Sequence, residues 1–130
     1  TIIVDEKIAA AFLKQVSASF EQKKVIIYAD AKAYKLLKGY PYLYKAAKED
    51  FYREFLSLTC AVKIVKNEKE ALGHIAEHGT KHSEAIVTNN KKIAEQFLQM
   101  VDAASVYHNA STRFTDGEEF GLGAEVGIAT

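Results

Sequence analysis

The chain has 130 residues and a mass of 14.4 kDa, one domain's worth of core, with 48% apolar and 26% charged residues, a globular and not a disordered composition. Seventeen basic against seventeen acidic residues leave no net charge. This argues against a nucleic-acid partner, and no apolar run approaches the ~18 residues of a membrane span, so no membrane role is expected.

Residues 1–4 read as a short strand, and Asp5 is placed to cap a helix over residues 6–22. Ile8, Phe12, Val16 and Phe20 recur at i,i+4 spacing and predict its buried stripe, with Leu13 beside them. Residues 24–29 are a β-branched run of strand length. Asp30 can cap a short helix ending near Gly39, in the breaker cluster Gly39-Tyr-Pro41. Residues 40–55, dense in tyrosine and lysine, read as irregular or weakly helical, and residues 56–65 are the strongest strand. Asn67 and Glu70 form a capping box that opens a helix with Leu72 and Ile75 inward and Gly79 at its C-terminal end. Residues 84–88 are a strand, Asn90 starts a helix with Ile93, Phe97 and Val101 inward, and residues 105–109 are a strand. From Ala110 onward the chain reads as functional loop. Strands alternate with helices, which predicts a single α/β domain over residues 1–130: three main helices packed on a sheet of four to five strands, formed by residues 25–28, 58–65, 85–88 and 106–109.

Five patterns could carry chemistry. His74-Ile-Ala-Glu77-His78 matches the H-x-x-E-H spacing of zinc peptidases, but Gly79 should end the helix directly after it and no third ligand follows, so no metal site is expected. Cys60, the one cysteine, leaves no internal disulfide; inside a β-branched strand it reads as a small buried hydrophobe and not a nucleophile. Gly121-Leu-Gly123-Ala-Glu-Val-Gly127 has the wrong spacing for a dinucleotide fingerprint and reads as a loop whose backbone can approach a ligand closely. Asn109-Ala-Ser111 is formally a glycosylation sequon, but no secretory leader is read at the start. The densest polar cluster runs from Asn109 through Ser111, Thr112 and Arg113 to Asp116, directly off a strand end, where α/β proteins collect ligands. Arg113 can take a carboxylate or phosphate bidentately. The competing reading is a turn network that only shapes the loop, with Arg113 paired to Asp116 or Glu119.

Residues 106–117 (VYHNASTRFTDG) and 119–128 (EFGLGAEVGI) resemble the signature near the C-terminal part of the gamma-glutamyl phosphate reductase family, also called glutamate-5-semialdehyde dehydrogenases. Supporting stretches are residues 1–4, 54–58, 62–65, 74–75 with 78–82, and 85–88, and the resemblance extends over essentially the whole chain, weakest from Phe20 to Asp50. A departure is Glu118-Glu119, where many relatives carry glycine first. The resemblance implies a layered catalytic domain of aldehyde-dehydrogenase type and an NADPH-dependent reduction of gamma-glutamyl phosphate to glutamate 5-semialdehyde, on the route to proline. It further implies a cytoplasmic, homo-oligomeric parent enzyme.

The family's nucleophilic cysteine would lie a few residues upstream of Thr1, and its dinucleotide domain further upstream. The chain is therefore expected to be a catalytic-domain fragment cut from something longer, inactive by itself. A free-standing, non-catalytic ligand-binding module or pseudoenzyme of the same fold is the alternative. Within the chain, the resemblance points to Glu54 for the nicotinamide ribose. Asn109, Ser111, Thr112 and Arg113 are the candidate substrate-binding residues.

Overall fold

The computed structural model describes residues 1–116 together with Glu119 and Gly121. The chain divides into two compact units, Thr1–Ala71 and Leu72–Thr130.

The first unit is built on a four-stranded parallel sheet in the order β1-β4-β2-β3, from β1 (Ile2–Asp5), β2 (Ile26–Ala29), β3 (Leu43–Lys45) and β4 (Thr59–Val65). Ile27 stands opposite Cys60 on one side and Leu43 on the other, and Ile3 opposite Lys63. Parallel strands of one sheet require crossovers, and helix α1 (Glu6–Gln22), between β1 and β2, and the short helix α2 (Ala31–Leu36), between β2 and β3, supply two of them. Val4, Ile27, Ala29, Val62 and Ile64 alternate onto one sheet face and form a core with Ala9, Leu13, Ala33 and Leu37 of the helical segments.

Both helices start where the sequence places them. An Asp5 oxygen accepts from the Lys7 N–H at 2.8 Å. Asp30 Oδ1 accepts from the Ala33 N–H at 2.8 Å, and Asp30 Oδ2 from the Ile64 N–H at 3.2 Å, so one carboxylate fastens α2 to β4.

The buried stripe of α1 differs from the predicted one. Ala9 and Leu13 are its buried residues, Phe12 and Phe20 flank the core, and Ile8 is 57% exposed. Alanine at position 9 leaves no bulk between helix and sheet, and the stripe turns to bring that position inward. Residues 40–55 also hold more order than predicted. β3 pairs with β2, and a 3-10 turn follows at Lys48–Phe51. Beyond it, Phe55 stacks on Tyr28 (centroids 5.4 Å apart, 7° between planes) and Tyr28 on Tyr44 at 5.6 Å.

Helix α3 (Glu68–His78) begins at the end of the first unit and continues into the second. Half of its expected capping box forms: the Glu70 N–H donates to Asn67 Oδ1 at 3.0 Å, but the Glu70 carboxylate accepts from the Lys66 N–H at 2.9 Å, one residue before the cap. The second unit carries a separate two-stranded parallel sheet of β5 (Ser83–Ile86) and β6 (Ser105–His108), joined by helix α4 (Lys91–Met100). Asn90 caps α4 by accepting from the Lys92 and Ile93 N–H groups, and Ala94 and Phe97 are its buried residues. The single sheet predicted from residues 25–28, 58–65, 85–88 and 106–109 is thus two sheets. The first two segments pair with each other and the last two with each other, because a strand's apolar pattern does not say which neighbour completes its ladder.

Gly79 follows α3 as predicted, but for a reason other than a left-handed backbone. Positive φ among the described glycines is confined to Gly39 and Gly121. Instead, a Cβ on Gly79 would lie 2.6 Å from the Ile75 carbonyl oxygen and 3.1 Å from a Glu84 carboxylate oxygen. The Gly79 N–H donates to that same Ile75 carbonyl at 2.7 Å, so neither backbone group can move without breaking the bond. Gly79→Ala is expected to destabilise the protein by about 1–3 kcal/mol, read from the shift of a urea transition.

Candidate functional site

The polar cluster comes off the carboxyl end of β6, where parallel strands deliver side chains to an open edge. Strand β6 stops at His108 because Asn109 adopts φ 54°, a left-handed conformation that asparagine tolerates better than most residues. Ser111, Thr112 and Arg113 follow as an exposed turn leading into a 3-10 turn at Phe114–Asp116. The Arg113 N–H donates to Ser111 Oγ at 3.1 Å and the Phe114 N–H to the Ser111 carbonyl at 3.0 Å, so the three candidate ligands share one tight turn. Tyr107, within β6, steadies the far side through a 3.1 Å hydrogen bond between its hydroxyl and that of Thr115.

Asn109 is engaged differently from its neighbours. Its Oδ1 accepts from the Thr88 N–H at 2.9 Å, its Nδ2 donates to the Thr88 carbonyl at 3.1 Å, and its own N–H donates to the Ile86 carbonyl at 2.8 Å. His108 Nε2 lies 2.8 Å from the same Thr88 carbonyl, which assigns the ring proton to Nε2. Sequence reasoning missed Thr88 and His108 as supports of this loop. The available signal was an asparagine at a strand end directly before small turn-forming residues. Glu118 and Gly123 lie outside the described residues, and so does the Asp116 side chain on which the paired reading of Arg113 partly rests.

Glu54 lies in the first unit, on the exposed segment between the 3-10 turn and β4. Its neighbours hold that segment. Phe55 is stacked on Tyr28, the Arg53 guanidinium sits 5.6 Å from the Phe55 ring centre, and Leu56 takes φ 49° while 88% exposed. The carboxylate is thus presented from an anchored backbone.

The histidines of the H-x-x-E-H pattern lie ring on ring. The His74 and His78 centroids are 4.2 Å apart at 20°, and His78 Nδ1 turns back to the His74 carbonyl at 3.2 Å. Among the described residues no group of three His, Cys, Asp or Glu side chains is placed to hold a metal ion, and no helix is long and apolar enough to cross a membrane. Cys60 is half-buried in β4, and burial raises its thiol pKa, which disfavours the thiolate a nucleophile needs. Cys60→Ser is therefore expected to remove no reactive group but to cost about 1–3 kcal/mol of stability, because its hydroxyl would sit against the apolar core, as equilibrium denaturation would measure.

Fold and site together define an α/β protein of parallel strands whose polar cluster stands at a strand's carboxyl end. No family model matches the chain. Among curated proteins, it is 54% identical over 121 residues to the gamma-glutamyl phosphate reductase of Chlorobium limicola, covering 91% of the chain and 29% of that protein. It is 48% identical over 132 residues to that of Tolumonas auensis, covering 100% of the chain and 32% of that protein. The crystal structure of gamma-glutamyl phosphate reductase from Thermotoga maritima matches with a TM-score of 0.87 at 40% identity, covering 98% of this chain and 30% of that one. Along its length the chain is therefore similar to one segment of the gamma-glutamyl phosphate reductases, as its signature residues indicate. It spans under a third of the length of the curated relatives it matches.

Proposed function

We propose that the chain is the distal portion of the catalytic domain, of aldehyde-dehydrogenase type, of an NADPH-dependent gamma-glutamyl phosphate reductase in proline biosynthesis. The observation that carries this reading is similarity over the whole chain, at about half identity, to proteins of that name. Residues 1–130 contribute the substrate-recognition loop and one cofactor contact. The nucleophile comes from outside them, since the one thiol within is half-buried in a strand with a raised pKa.

The substrate carries an α-carboxylate, an α-ammonium and an acyl phosphate. Desolvating such anions is costly unless donors meet them. Arg113 offers a planar fork of donors, and Ser111 and Thr112 add hydroxyls from the same turn, with Asn109 at its root. In the reaction, a cysteine thiolate adds to the acyl phosphate carbon and phosphate leaves. With Glu54 holding its ribose, bound NADPH would supply the hydride needed to take the thioester to the semialdehyde, the cysteine thiolate being released. Glu54 fits the cofactor's ribose, because an exposed carboxylate on an anchored backbone is an acceptor for hydroxyl donors. The parent enzyme is proposed to be cytoplasmic and homo-oligomeric.

The test is the reverse reaction of the full-length protein. Glutamate 5-semialdehyde should reduce NADP⁺ only when inorganic phosphate is present. Reduction that ignores phosphate, or none at all, refutes the assignment.

A further inference from the structure

We propose that Asn109 is a positioning residue whose side-chain amide stands in for the next rung of the β5–β6 ladder and so sets where Ser111, Thr112 and Arg113 sit. This rests on the functional reading above and refines the part assigned to Asn109. The inference comes from ladder geometry. In a parallel pair, one residue bonds through both its N–H and its carbonyl to the two residues flanking its partner. Ile86 stands opposite His108, and the Asn109 N–H donates to the Ile86 carbonyl at 2.8 Å, as that pattern requires. The next rung would join Thr88 to the carbonyl of residue 109 and the N–H of residue 111.

That rung is built from one side chain instead. Asn109 Oδ1 takes the Thr88 N–H at 2.9 Å, and Asn109 Nδ2 gives to the Thr88 carbonyl at 3.1 Å. A carboxamide has the donor–acceptor pattern of a peptide group, so it can replace one. The substitution frees the backbone to leave the ladder at φ 54° without orphaning Thr88, and the turn carrying the candidate ligands starts at that point. Thr88 is itself fixed, because its Oγ1 accepts from the N–H of Asn90, the cap of α4. The loop root is thereby referred to a helix and two strands. Aspartate would set an oxygen against the Thr88 carbonyl, alanine would offer no bond and strain the backbone, and glycine would keep the backbone while losing both bonds.

A residue that acts through another loses its effect when that other group is already impaired. The experiment measures kcat/KM for glutamate 5-semialdehyde with full-length wild type, Asn109→Gly, Arg113→Lys and the double variant, and amide exchange at Thr88. Asn109→Gly should lower kcat/KM by about tenfold or more, as misplacement of binding groups does, and by less than about threefold on top of Arg113→Lys. The Thr88 amide should exchange faster. Equal losses in both backgrounds would make Asn109 a direct substrate ligand and overturn the proposal. Unchanged kinetics, or unchanged Thr88 exchange, would overturn it as well. If Asn109→Gly does not fold, Asn109→Asp is read in the same way. A wild type lacking the phosphate-dependent activity sinks the functional reading instead, and Thr88 exchange then still judges the tie.

Discussion

Replacing Ile27 by alanine is expected to cost about 2–5 kcal/mol of stability, the largest single-site loss in the first unit. Ile27 is 1% exposed and, with Val62, one of the two largest fully buried side chains among the described residues. It sits in β2, an inner strand bonded on both sides, opposite Cys60 and Leu43, and its N–H donates to the Tyr42 carbonyl at 2.9 Å. Its face of the sheet receives α1 and α2, so the truncated volume is walled by strands and helices that cannot collapse together. Ile27→Val removes one methylene and should cost about 0.5–1.5 kcal/mol. Equilibrium denaturation of both variants gives the test. A loss near zero for alanine would mean that this face is not the core.

Much of this was legible in the sequence because the deciding interactions are local. Asp5, Asp30, Asn67 and Asn90 each satisfy N–H groups within three residues, and each was identifiable as a cap from its neighbours alone. The β-branched runs 24–29 and 56–65 contain strands because their side chains suit a pleated, buried surface. The missed features depend on distant partners. β3 has three residues and exists because β2 offers it a ladder. The inward turn of α1 is set by how closely Ala9 can approach the sheet, which the spacing of larger residues does not encode. Division into two sheets is a pairing decision, invisible in either strand alone.

The candidate site divides along the same line. Its polar residue types and its strand-end position were readable from composition and order. That Asn109 spends its amide on Thr88, twenty-one residues away, was not. Gly79 teaches a similar lesson: glycine was expected there, yet the cause is a carbonyl and a carboxylate from two elements converging on its Cα.

Arg113→Lys in the full-length enzyme is expected to reduce kcat/KM for glutamate 5-semialdehyde by about 10- to 100-fold with stability unchanged within ~0.5 kcal/mol. Arg113 is exposed on the turn after β6, and the contact of its backbone N–H with Ser111 does not depend on the side chain. The substitution therefore keeps the backbone bond that shapes the turn. Charge is also conserved, so long-range attraction of an anionic substrate persists. What disappears is the planar fork, which can give two parallel hydrogen bonds to one carboxylate or phosphate where an ammonium acts as a point charge. Hydrogen bonds to charged groups contribute about 1.5–3 kcal/mol, and each 1.36 kcal/mol is a factor of about ten in rate, which sets the expected range. The loss should fall on the semialdehyde, with the KM for the nicotinamide cofactor unmoved, because the cofactor contact is proposed for Glu54 and not for this turn. If Arg113 instead holds the loop closed by pairing with Asp116 or Glu119, the pattern reverses. The lysine variant would then melt earlier while the folded fraction turns over at the normal rate. Denaturation and steady-state kinetics on one preparation separate the two roles.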